Sequence, residues 1–267
     1  MVLLYLLTLP AKGRESLAEL TLYTETFPPY SFLDTGVVRG INADIVTRAC
    51  DMAGITCHMN LVPWNRGMSE ALKSANVGLF STSRIDEREA AFLWVGPLVS
   101  SYSCFYRLKD RDDIQVTDDI TLKQYTIGIQ RGDIYQNVLN NMGLTEGVHY
   151  LTYSQKHQDA RMFSLRKLDL MIGSSITLAS QLASVNLGPE DVVPVLAINH
   201  DMLRGNYLAL NKLTSPQLAN ALQQAIRTMK EDGSVDALVA QYAGYRQQMS
   251  EALPDRLRQC VTGTANY

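Results

Sequence analysis

Two kinds of apolar spacing alternate along the chain. "LTLYTE" (20–25) has the period of a strand and leads into the turn "TFPPYSF". "GINADIVTRACDMAG" (40–54) instead puts Ile41, Ile45, Val46, Ala49 and Ala53 on one helical face, with Gly54 as a stop signal. "TCHMNLVPW" then predicts a strand, "NRGMSEALKS" a helix, "VGLFSTS" (77–83) a strand and "VSSYSCFYRLK" an extended run. After the polar connection at 110–119 a second series begins. "YTIGIQRG" is a strand, and "DIYQNVLNNMG" carries a stripe of Ile134, Tyr135, Val138, Leu139 and Met142. "HYLTY", a helix capped by Ser154, the strand "DLMIGSS", the helix "ITLASQLASVNLG" and the strand "DVVPVLAIN" follow. A strand at 206–212 precedes a helix with Ser215 as N-cap and Pro216 at its first position, and "SVDALVAQYAG" forms the last helix.

Alternating strands and helices imply parallel sheets covered on both faces. The fold class is therefore α/β. Two series predict two lobes, each a sheet flanked by helices: 19–107 with 200–245, and 108–199, followed by a tail at 246–267. The chain is expected to cross near 106–110 and return near 200. Such sheets bind ligands at the carboxyl ends of their strands, here in the cleft between lobes.

Composition narrows the class. The 267 residues are 46% hydrophobic and 19% charged, as in a folded protein, and the net charge of -3 without a Lys/Arg block argues against nucleic acid as a partner. Val2–Leu9 is too short to span a bilayer; with the small residues up to Ala18 it predicts a signal peptide at 1–18, although a basic n-region is missing. The mature chain is then expected to be soluble and exported. No C-x-x-C pair occurs among the four cysteines, so no metal or redox motif is offered and no cofactor is expected. Cys50, late in a helix, and Cys57, in the next strand, are placed to close that turn by a disulfide, the alternative being two buried thiols; Cys104 and Cys260 read as unpaired.

The most pointed stretch is "FSTSRIDEREAAFLWVGP" (80–97). Ser81, Thr82 and Ser83 precede Arg84 and Arg88, which stand among acids before an apolar strand. Residues alone allow a solvated helix start or an anion pocket.

The order of motifs resembles the type II periplasmic solute-binding proteins, and more narrowly family 3, which serves polar amino-acid ABC importers. The likeness rests on "FPPYSFLDTGVVRGINADIV", "PWNRGMSEALKSANVGLFSTSRIDEREAAFLWVGPLVSS", "YTIGIQRGD" and "ALQQAIRTMKEDGSVDALVAQYAG", across 21–244. It implies that Arg88 grips a ligand carboxylate, a task suited to the guanidinium fork. It also implies that Ser81, Thr82 and Ser83 add hydroxyls and N–H groups, with Arg84 nearby. Phe27, Tyr30 and Trp64 then line the cleft as aromatics, with Arg66 beside Trp64 at a helix start.

In the second lobe Arg131, Gly132 and Asp133 fall where the family binds the same carboxylate, Asp133 standing in place of the usual hydroxyl residue. The acid that holds a ligand ammonium in the family falls here at Gly173 or Ser174, so Glu25 or Asp133 would have to serve, or the ligand lacks an amino group. The resemblance implies a monomeric binder that closes on a small carboxylate or amino acid and docks on an ABC permease or a sensor. The competing reading is an enzyme on this scaffold, such as a cyclohexadienyl dehydratase or a lytic-transglycosylase-associated domain, with Glu25, Asp133, His149 or His157 as its acid or base.

Overall fold

The computed structural model describes residues 18–155, 157–203, 205–242 and 253–262. Apart from Ala18, the expected leader lies outside them. In chain order the first part runs β1 (Glu19–Thr24), β2 (Phe32–Asp34), β3 (Val37–Arg39), α1 (Ile41–Ala53), β4 (Thr56–Leu61), α2 (Trp64–Ala71), β5 (Val77–Ser83), α3 (Asp86–Glu89) and β6 (Phe92–Val99). The second runs β7 (Ser103–Leu108), α4 (Asp119–Leu122), β8 (Ile127–Gln130), α5 (Ile134–Asn141), β9 (Tyr150–Tyr153), α6 (Gln158–Ser164), β10 (Leu170–Ser174), α7 (Leu178–Ala183) and β11 (Val192–Ile198). Then come β12 (Asn206–Asn211), α8 (Pro216–Glu231), α9 (Ser234–Tyr242) and α10 (Asp255–Thr262).

Two five-stranded sheets result, in the orders β4-β1-β5-β12-β6 and β11-β7-β10-β8-β9. In the first, β1, β4 and β5 are parallel and β12 runs antiparallel to β5 and β6. In the second, β8, β9 and β10 are parallel and β7 opposes β10 and β11. Each sheet has its own core. Leu20, Leu22, Phe80, Leu208 and Leu210 meet the buried face of α1 and α8 in the first, and Ile127, Ile129, Leu170 and Ile172 meet Val138 and Leu139 in the second.

The crossing between sheets differs from the pattern-based expectation. β7 already pairs with β10 and β11, so the chain changes lobe at 100–102 rather than 106–110. An extended apolar run carries no mark of which sheet it joins. The return lies at 199–205, close to the expected place. The helix expected from Ser154 begins at Gln158, after His157 adopts a left-handed conformation (φ 61°). One glycine is required by close approach: at Gly40 (φ 119°), a Cβ would lie 2.7 Å from backbone atoms of Pro29 and Tyr30.

Cys50 and Cys57 form a disulfide with a Cα separation of 6.2 Å, closing α1 onto β4. Cys104 and Cys260, read as unpaired from the sequence, are also bridged. They are 156 residues apart, and only the packing of α10 against the second sheet brings them together. Leu257 and Cys260 are buried there, and the Tyr106 hydroxyl donates to the Cys260 carbonyl at 2.8 Å. α10 is thus docked on the second sheet.

Candidate functional site

The register brings the cleft residues to two facing strand edges. On the first sheet, Ser83 pairs with Asn206, which pairs with Val99. On the second, Ser174 pairs with Ser103, which pairs with Ile198. Both crossings of the chain join these edges.

At the first edge, β5 bulges. Thr82 pairs with Tyr207 and Phe80 with Leu208, leaving Ser81 between them at φ 61°. Ser81 is buried and its Oγ accepts from Asn42 Nδ2 at 3.1 Å. Thr82 is fully buried and donates to the Leu79 carbonyl at 3.3 Å. Ser83 is half-buried, and its carbonyl accepts from Arg88 Nη1 at 3.3 Å.

The two arginines of the motif part company. Arg84 is exposed and makes a fork-like pair with Glu89, with Nε–Oε2 at 2.8 Å and Nη2–Oε1 at 2.5 Å. The Glu89 partner holds the Arg84 guanidinium above its ordinary range. Its guanidinium lies over Trp94 and Tyr207, and a hollow of about 360 Å³ beside the second crossing gathers Arg84, Glu89, Asp201 and Tyr207 but not Arg88. Arg88, half-buried, lies 5.2 Å from the Trp64 ring centroid. Burial lowers its pKa, opposed only by the charge of Glu87. Among the described residues no carboxylate lies within ion-pair distance of it. Trp64 opens α2, half-buried and packed beside Tyr23 and Met68. Arg66, in the same turn, is exposed.

Tyr30 is a core residue rather than an exposed aromatic. Its ring is 2% exposed, packed in the first core and 5.1 Å from Phe27, which is itself half-buried. Its hydroxyl meets Ser101 at 3.2 Å on the first crossing, with the side chains of Ser174 and Asn206 nearby. Tyr30 therefore holds the first crossing against the first core. Glu25 follows β1, half-buried, and its carbonyl accepts from Ser31.

At the second edge, Gly132 (φ 77°) has open space around its α-carbon, and the exposed Arg131 reaches Thr152 at 3.4 Å. Asp133 caps α5 by accepting from the Tyr135 N–H at 3.1 Å. Burial, with help from the charge of Asp159, pushes its carboxyl up to about 6. The Tyr135 hydroxyl bonds Ser103 at 2.8 Å. Ser174 is buried, and its Oγ accepts from the Thr177 N–H at 3.1 Å, so it closes the turn into α7. Gly173 lies under α7, where a Cβ would meet Leu178 at 2.8 Å. His149 accepts from the Thr145 N–H at 2.9 Å and is occupied by its own turn.

The structure thus gathers Ser83, Arg88 and Trp64 at one edge and Gly132, Asp133, Tyr135 and Ser103 at the other. Tyr135, Asp159 and Asn42 carry no sequence signal of their own, since each looks like an ordinary helix residue.

The chain belongs to the bacterial extracellular solute-binding proteins, family 3, whose model matches residues 20–245. Its two-lobed fold is that of periplasmic binding proteins. A histidine kinase sensor domain with similarity to periplasmic binding proteins superposes with a TM-score of 0.70 at 18% identity, covering 86% of this chain and 98% of that one. A mutant of the arginine-binding protein ArgBP from T. maritima gives 0.64 at 16%, covering 85% and 96%. A Salmonella typhimurium periplasmic binding protein with high arginine specificity gives 0.64 at 14%, covering 84% and 99%. No curated protein matches the sequence significantly.

Proposed function

We propose that this protein is a periplasmic binder, without catalytic activity, that captures a small carboxylate-bearing solute and presents it to the permease of an ABC importer. The solute is an amino acid or a related organic anion. One observation carries the reading: a half-buried guanidinium at a cleft edge, stacked on an indole and lacking a carboxylate partner among the described residues. A desolvated cation of this kind is stabilised by an incoming anion, and the planar fork favours a carboxylate. Lobe closure about the crossings at 100–102 and 199–205 would shield that pair from water. Similarity to solved amino-acid binders supports the solute class.

The test is isothermal titration of the purified chain against L-arginine, L-glutamine, L-glutamate and a set of dicarboxylates. Saturable binding of one solute per chain is expected for at least one class. Absence of heat and of thermal stabilisation across the whole panel would overturn the reading.

A further inference from the structure

We infer that Asn42, fully buried in the first lobe, is a positioning residue for the Arg88 guanidinium, acting through the bulged Ser81. The inference rests on the reading of Arg88 as the anion-binding group, but its test does not require a solute.

The evidence is a buried polar chain inside an otherwise apolar core. Asn42, Thr24 and Ser31 are fully buried and Ser81 is nearly so. Thr24 Oγ1 donates to Ser31 Oγ at 3.0 Å, Ser31 Oγ lies 3.3 Å from Ser81 Oγ, and Asn42 Nδ2 donates to Ser81 Oγ at 3.1 Å. Two side chains meet the Ser81 hydroxyl, Ser31 from the turn after β1 and Asn42 from α1, and Thr24 of β1 reaches it through Ser31. Ser81 needs that support. Its left-handed backbone is unfavourable for a residue with a Cβ, and the bulge removes it from the register with β12. Two residues later the Ser83 carbonyl accepts from Arg88 Nη1. The direction in which β5 leaves the bulge therefore sets the place of the carbonyl that orients the guanidinium over Trp64.

Asn42 also has a cost that a purely structural residue would not need. Its Oδ1 is buried without a hydrogen-bond partner among the described residues. A leucine-like residue would fill the same space without desolvating an acceptor. Retaining the amide is explained if its N–H bond to Ser81 is what matters.

The chain has two tryptophans. In a Trp94→Phe background, Trp64 emission alone reports the guanidinium above it. Arg88→Ala in this background defines the emission shift on losing the stacked cation. Asn42→Ala is expected to shift Trp64 emission in the same direction, with far-UV circular dichroism unchanged. In the Arg88→Ala background, Asn42→Ala should add nothing, because the group it positions is gone.

Asn42→Asp separates position from stability. A carboxylate can accept from the Ser81 hydroxyl, so the link is kept with its donor reversed, while the buried charge lowers the melting temperature. Wild-type-like emission from a destabilised Asp variant is the expected signature. The inference is overturned if folded Asn42→Ala leaves Trp64 emission unchanged, if its shift persists without Arg88, or if Asn42→Asp shifts emission as Asn42→Ala does. Failure of solute binding with these emission results intact would instead count against the proposed function.

Discussion

Arg88 and Arg84 stand four residues apart, yet their surroundings give them different work. Arg84 is neutralised in water by Glu89, an arrangement worth little to stability. Arg88 is partly desolvated without such a partner, so a bound carboxylate gains more there. Arg88→Ala is expected to weaken solute binding by about 2–3 kcal/mol, and Arg88→Lys by less, because charge is kept but the fork is lost. Titration calorimetry on the three proteins checks the order. Arg84→Ala should leave affinity nearly unchanged.

Asp133 offers a second test at the same scale. Its folded-state value of about 6 lies above the ordinary carboxyl range. A carboxyl that binds its proton more tightly when folded favours the folded state at low pH. That contribution is full below about pH 4 and is lost as pH climbs to about 6. Asp133→Asn keeps a cap for α5 and removes the ionisation. The Asn variant should therefore melt higher than wild type at pH 7.5, with the difference fading at pH 4.

Among the elements, α1 shows how much the local pattern determines. Its apolar stripe, its glycine stop and the Cys50–Cys57 closure onto β4 are all short-range features, and they are readable from one window of sequence. The disulfide spans 7 residues, for which chain entropy gives roughly 2.5 kcal/mol. The Cys104–Cys260 bridge spans 156, and the same relation gives roughly 5 kcal/mol. Paired Cys→Ala variants should follow that order in denaturant unfolding. The longer bridge was invisible in the sequence because its pairing depends on how α10 docks, which no local spacing encodes. The β2–β3 hairpin and the bulge at Ser81 escaped for a related reason: three-residue strands and single extra residues barely disturb an apolar pattern. The stretch "STSRIDER" was legible as an anion-site candidate, but which arginine faced an acid was decided by geometry.

For the molecule as a whole, Tyr30 joins the first core to the passage between the lobes. The alternation of elements predicted two lobes, and chemistry alone suggested an aromatic beside the solute. The ring is instead core, and the hydroxyl meets Ser101 of the first crossing. Burial holds that phenol above its usual range, so it remains a donor at any physiological pH. Tyr30→Phe keeps the packing and removes the junction. A loss of about 1 kcal/mol is expected in urea unfolding, with a change in the radius of gyration of the solute-free protein by X-ray scattering as lobe orientation loosens.

The docking of α10 has one more effect. Because Cys260 returns to Cys104, everything between them forms a covalent ring that includes the second passage between lobes. A single protease nick at 199–205 should therefore release no fragment on a non-reducing gel. Two pieces should appear only after the Cys104–Cys260 disulfide is reduced.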